Sequence, residues 1–207
     1  MKKKVSTLTP SYKSKKYIKS FLKNVKQQTH NNFEIILDHK QPTEKEINIV
    51  KPLVWDIPVC YDNIFSFDMN EYSNKISLTK DEIIQLHSSK TYYLHMYGFL
   101  PGFMYLGGLD SKLQISRKTI PSRRVLKGSV AVGGSQTGIY PSNSPGGWYV
   151  IGNTPINLFD ASNLNQPVAL PDSNYVKFSP VSIKEYELIK DEVEKSEYKF
   201  IIREFNG

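Results

Sequence analysis

Two stretches of the 207-residue sequence have residue types and spacing suited to holding an anion or a carbonyl group. Gly133-Gly134-Ser135-Gln136-Thr137-Gly138 and Ser144-Pro145-Gly146-Gly147-Trp148 lie within the 32 residues Gly128–Phe159, which carry seven glycines, three prolines and no charged side chain. Glycine supplies positive-φ turns and lets a ligand approach the backbone with no Cβ in the way. Amide N–H groups turned to one side then form a nest for a carboxylate, an amide or a phosphate. Barrel turns that hold no ligand have the same composition, and residue types alone leave both readings open. Gln136, Thr137 and Tyr140 are accordingly either hydrogen-bonding groups of such turns or ligand contacts. Arg117, with its fork of donors, is either an anion partner or a surface ion pair.

His87 follows Ile83 by one helical turn and shares its face. It is either a core histidine with a satisfied partner or an acid, base or ligand contact beside Tyr105. His30, His39 and His95 have no comparable context. Phe103, Tyr105 and Trp148 read as core or subunit-interface anchors. Cys60, the single cysteine, reads as a buried structural thiol, so a disulfide framework is excluded. With no H-x₃-H pair and no cysteine cluster, no metal is expected.

These residues must be positioned by short strands. Glycine and proline at this density cost about 1 and 3 kcal/mol each inside a helix, so the neutral segment reads as strands at Ser129–Val132, Trp148–Ile151 and Ile156–Phe159 joined by tight turns. Val168–Leu170 and Tyr175–Phe178 add strands, as do Trp55–Tyr61, with Pro58 near an edge, and Tyr92–Phe99. Capping boxes at Thr79-Lys80-Asp81-Glu82 and Ser182-Ile183-Lys184-Glu185 open helices over 80–89 and to about 196, and Tyr198–Phe205 could close the chain as a strand. Upstream, 16–28 reads as an amphipathic helix, 33–37 as a strand and 41–52 as a linker or short helix.

The formal charge of +7 is not spread over the protein. Residues 1–30 hold nine lysines and no acid, whereas 31–207 hold 18 basic and 20 acidic residues. A basic stripe interleaved with stacking aromatics is missing, which argues against nucleic-acid binding. No apolar run approaches the roughly 18 residues needed to cross a bilayer, and no secretory leader is legible, so no membrane role and a cytoplasmic location are expected.

The run Gly98-Phe99-Leu100-Pro101-Gly102-Phe103-Met104-Tyr105-Leu106-Gly107-Gly108-Leu109 resembles the GF-x-PGF-x-YLGxL signature of the KipI family. The likeness continues through Gly128–Val132, Gly134–Pro141, Ser144–Trp148, Ile151-Gly152, Thr154-Pro155 and Leu158–Asp160. Upstream it takes in Ile57–Tyr61 and Leu86-His87-Ser88. This family is also called allophanate hydrolase subunit 1 and is associated with the B subunit of the bacterial ATP-dependent 5-oxoprolinase. The resemblance implies an α+β, mainly β fold: a small α/β domain over 1–54, shortened relative to the family, a cyclophilin-like β-barrel over 55–181, and a helix-and-strand extension over 182–207. It also implies a subunit inactive alone, with ATP held by the complex. The implied partners are a KipA-type protein, like the C subunit of 5-oxoprolinase, and a LamB/YcsF-type A subunit. The implied reaction opens 5-oxo-L-proline to L-glutamate.

On this reading the binding residues are Pro101, Gly102, Phe103, Tyr105, Arg117, Gln136, Thr137, Tyr140, Ser144, Gly146 and Gly147, with His87 the candidate catalytic group. The sequence departs from the family at Ser116, Ser122, Leu126-Lys127, Asn153 and Ser173-Asn174, where a proline, a cation or an acid is usual. Two alternatives follow: a regulator that inhibits a sensor histidine kinase, and a scaffold without chemistry.

Overall fold

The computed structural model describes residues 52–163, 165–170 and 174–205. The chain divides into two units, Met1–Ile49 and Val50–Gly207, and every described residue belongs to the second. The helix expected over 16–28, the strand over 33–37 and all but the last residue of the 41–52 segment lie outside the described residues.

Ten strands and three α-helices follow in order: β1 (Leu53–Val59), α1 (Met69–Ile76), α2 (Lys80–Ser89), β2 (Thr91–Tyr97), β3 (Met104–Gly107), β4 (Ser122–Val125), β5 (Ser129–Gly133), β6 (Gln136–Ile139), β7 (Ser144–Gly146), β8 (Tyr149–Asn153), β9 (Tyr175–Pro180), α3 (Ile183–Glu194) and β10 (Ile201–Glu204). Eight strands form one curled sheet in the order β10-β1-β9-β2-β3-β6-β5-β8, and β4 and β7 form a separate pair. β1 and β9 run parallel, and the other neighbours in the curled sheet are antiparallel. The mainly β, α+β class expected from the sequence holds.

The curl brings β8 back to the end of β1. Cys60 N–H donates to Asn153 O at 2.9 Å and Asn153 N–H returns a bond to Cys60 O at 3.0 Å. Further along β8, Asp68 N–H donates to Val150 O at 3.0 Å, while the Asp68 carboxylate accepts from Val150 N–H at 2.7 Å. Pro58 fits because β10 pairs only with Leu53–Asp56. Val59 O faces β9, accepting from Val181 N–H at 3.0 Å, so the neighbouring Pro58 nitrogen faces the flank where β10 has ended.

The period-2 alternation of the strands feeds two apolar clusters rather than one. Met104, Leu106, Val130, Val132, Ile139, Tyr149 and Ile151 point into the barrel. Phe103, Ala131, Trp148 and Val150 alternate with them and point outward into a second cluster, which β4 helps to cover through Val125. Inside, α1 and α2 contribute Met69, Tyr72, Ile83 and His87, all within 1% of complete burial.

Local sequence explains the helices. Both capping boxes form: Glu82 N–H reaches Thr79 Oγ1 at 3.3 Å and Glu185 N–H reaches Ser182 Oγ at 3.3 Å, with the reciprocal carboxylate bonds at 2.8 Å. Two expected strands are not made. Ile156–Phe159 and Val168–Leu170 are joined by one isolated bridge, Phe159 to Val168. Pro155 and Pro167 flank these segments and lack a ladder donor, and Ile156, Leu158 and Leu170 act as buried plugs of the main core. Helix α1 and strands β3, β4, β6 and β7 had no counterpart in the sequence reading.

Candidate functional site

Most of the motif residues meet on the outer face of β3, β6, β5 and β8. Glycines make this face possible. A Cβ at Gly133 would overlap the Trp148 indole; at Gly138 it would strike the Met104 carbonyl and crowd Trp148 and Phe103; at Gly146 it would strike the Tyr140 phenol. The rings fill the space so released. Phe103 stands edge-on to Tyr140 at 4.9 Å and to Trp148 at 5.5 Å, and Tyr105 stands edge-on to Trp148 at 5.7 Å. Such edge-to-face geometry sets positive ring edges against negative faces.

The backbone nest expected at 133–138 is therefore not free. Gly134 N–H donates to Ile115 O at 2.7 Å, and the flanking strands spend their amides in the β5–β6 ladder. Within 133–138 only Gly134, at φ +66° and with open space around its Cβ position, is a positive-φ turn glycine.

Arg117 lies across this bed, its guanidinium carbon 5.6 Å from the Trp148 ring centroid, and is itself exposed. Tyr140 is buried beneath, and its hydroxyl accepts from the backbone N–H of Trp148; burial pushes its pKa up to about 12, so it stays protonated at neutral pH. Pro101 and Gly102 belong to the adjoining loop, where Gly102 (φ +82°) lies against Phe159. Ser144 and Gly146 are on β7, and the Ser144 Oγ is buried without a hydrogen-bond partner. Gly147 O accepts from Lys118 N–H at 2.8 Å. Gln136 is half-buried at the β5–β6 turn.

His87 and Thr137 are elsewhere, inside the barrel, and both are completely buried. Thr137 Oγ1 donates to Ala131 O at 3.0 Å, so it accepts from His87 Nε2–H at 2.9 Å. His87 Nδ1 must then accept from the Tyr61 hydroxyl at 2.7 Å. The imidazole stacks on Phe178 at 4.5 Å and 15°. Burial lowers its pKa from 6.5 to about 3, which makes it a neutral core residue with both nitrogens satisfied.

The sequence reading missed Asp68 and Lys118. They form an ion pair with side chains only 13% and 10% exposed. Lys118 Nζ also donates to Ser122 Oγ at 2.9 Å and sits 5.4 Å over the Tyr149 ring. The pair fastens the 114–122 segment, which carries Arg117, to the β8 edge. Residues 111–159 contain six cations and no acid, so a buried cation there must find its acid elsewhere, but nothing in the sequence pointed to position 68. Among the described residues no three His, Cys, Asp or Glu side chains converge as a metal site would need.

Residues 3–170 match the family of the carboxyltransferase domain, subdomains C and D, and the chain belongs to this family. It is 40% identical over 137 residues to the B subunit of 5-oxoprolinase from Bacillus subtilis, covering 66% of this chain and 57% of that protein. It is 45% identical over 123 residues to the B subunit of the Haemophilus influenzae 5-oxoprolinase, covering 59% and 57% respectively. The chain thus aligns with little more than half the length of these curated relatives. A conserved uncharacterized protein from Pyrococcus horikoshii is 32% identical and superposes with a TM-score of 0.61 over 84% of this chain and 72% of that one. The urea carboxylase of Kluyveromyces lactis shares the fold, with a TM-score of 0.64 at 18% identity over 75% of this chain and 16% of that one.

Two outcomes test this geometry. Gly138→Ala lowers stability by about 3 kcal/mol or prevents folding, whereas Gly134→Ala costs about 1 kcal/mol for its positive φ alone, as read from urea midpoints at unchanged slope. His87 makes stability fall with acidity, because the unfolded chain takes up a proton near pH 6.5 and the folded chain does not until about pH 3. Urea unfolding of the wild type should lose about 1.6 kcal/mol between pH 6.5 and 5. His87→Gln should start lower at pH 7 and show a shallower slope over that interval.

Proposed function

We propose that this chain is the B-type part of a 5-oxoprolinase, contributing half of a site that a second barrel-containing protein completes, and that it is inactive alone. The single observation behind this reading is the outer face itself. It is built from the Gly/Pro/aromatic motifs that resemble the family signature, in a chain 39–45% identical over its matched part to proteins named as the B subunit of 5-oxoprolinase, and it presents an exposed Arg117 on an aromatic bed. His87, the histidine of these motifs, is enclosed and neutral, so it offers no base to a ligand, and on this reading the group that activates water belongs to the partner.

A lactam is a poor electrophile. On this reading the terminal phosphoryl group of ATP would pass to the lactam carbonyl oxygen with release of ADP; one water would attack the carbon and C–N cleavage would free the amine as γ-glutamyl phosphate, and a second water would hydrolyse that acyl phosphate to L-glutamate and inorganic phosphate. Arg117 offers paired N–H donors to a carboxylate or phosphoryl oxygen near that carbon. ATP is held by the complex rather than by this chain on its own. The partners on this reading are a KipA-type C subunit and a LamB/YcsF-type A subunit, and the reaction is cytoplasmic. No helix among the described residues is long and apolar enough to cross a membrane.

The test is reconstitution. The purified chain mixed with its A- and C-type partners should form a complex that releases glutamate from 5-oxoproline only when ATP is present, and the chain alone should release none. Arg117→Ala should reduce turnover by about 10²-fold in the assembled complex. Failure of the wild-type chain to bind these partners, or a full mixture without ATP-dependent glutamate, would overturn the proposal.

A further inference from the structure

Phe99 holds a backbone conformation that bulky side chains avoid. Its φ is +65°, in the left-handed region where a Cβ crowds the backbone. The loop enforces it: Leu100 N–H donates to Gly98 O at 2.7 Å, Phe103 N–H to Leu100 O at 3.0 Å and Gly98 N–H to Phe103 O at 3.1 Å. The ring gains little from folding in return. It is 63% exposed and touches only the edges of the face beneath, 5.7 Å from Phe103 and 6.5 Å from Tyr140. Glycine would serve this backbone better, so the phenyl group is kept for something outside the fold.

A second apolar side chain stands nearby. Ile120 is 83% exposed and lies between Lys118, whose N–H bonds Gly147 O at 2.8 Å, and Pro121, which lies beside Gly147. Tyr140, under the Phe99 ring, packs on Gly146, so the two exposed anchors flank one short segment, Gly146-Gly147-Trp148. Of the six cations in residues 111–159, Lys118 is neutralised by Asp68 and Lys127 interacts with Asp160, while Arg117, Arg123 and Arg124 are exposed.

We infer that Phe99 and Ile120, rimmed by Arg117, Arg123 and Arg124, are the surface on which the C-type partner docks, and that the partner presents an apolar recess edged with Asp or Glu. Apolar anchors inside an arginine rim match the anatomy of protein interfaces, and the unbalanced positive charge selects an acidic counterpart and speeds encounter. This inference rests on the function proposed above and adds the docking face and the chemistry of its occupant.

Biolayer interferometry of the full chain against the purified C-type partner measures this association, with sedimentation of the chain alone alongside. Phe99→Gly removes the anchor and fits the backbone. It should leave the thermal midpoint unchanged or raised while weakening association by about thirtyfold or more. The pair Arg123→Glu and Arg124→Glu should slow association and reduce its salt dependence. Two results would overturn the assignment of this face: Phe99→Gly binding within about twofold of wild type, or a homodimer of the chain alone that Phe99→Gly dissolves. A wild-type chain with no measurable affinity for the C-type partner would instead bring down the functional proposal, and this face would lose its occupant with it.

Discussion

The structure depends on an exchange of volume between glycine and aromatic rings. Gly133 and Gly138 sit on adjacent strands, where side chains would normally project from the outer face, and leaving them bare creates the shelf on which Trp148 and Phe103 lie. That shelf gives a small barrel a second apolar cluster outside its first. Dense contact on both sides of β3, β6, β5 and β8 makes those strands the most rigid support in the described unit, and rigid strands position a site more accurately than loops do. The same exchange explains why the site carries so few polar groups: most of its amides are committed to ladders, and its tyrosines are packed as hydrocarbon.

The barrel interior obeys the complementary rule. It is filled by its own strands and by two helices, and its few polar groups bond to one another. Thr137, His87 and Tyr61 form a closed relay in which each proton has one acceptor, ending on the Ala131 carbonyl. A relay so closed fixes the helix α2 register against β6 and has no donor left over for a substrate. On the function proposed above, chemistry belongs outside, on the face where Arg117 lies over Trp148 and the Asp68–Lys118 pair anchors the segment that carries it.

What could be read in the sequence was local or repeated. The two capping boxes act over four residues and declared helices α2 and α3, and the runs at Trp55–Tyr61 and Tyr92–Phe99 declared their strands. The Gly/Pro/aromatic motifs led to the right family and to the residues that meet on one face. Strand β6 stayed hidden because Gln136-Thr137-Gly138-Ile139 has neither a continuous apolar run nor clean alternation, its glycine being explained by the Met104 carbonyl and by the Phe103 and Trp148 rings. The same glycines left a free amide nest and plain barrel turns both open, because composition cannot show whether a vacancy is filled by a ligand or by the protein itself. Asp68 and Lys118 lie 50 residues apart, and no local rule links them.

The most direct measurement is the fluorescence of Trp148 in a Trp55→Phe background, which leaves one indole in the protein. With Trp148 only 4% exposed on its glycine shelf, its emission should be blue-shifted and weakly quenched by acrylamide in the folded chain, and should become that of free tryptophan in urea. Emission at the free-tryptophan wavelength with full quenching in the native state would mean that the ring does not occupy the shelf, and the outer face as described would not exist.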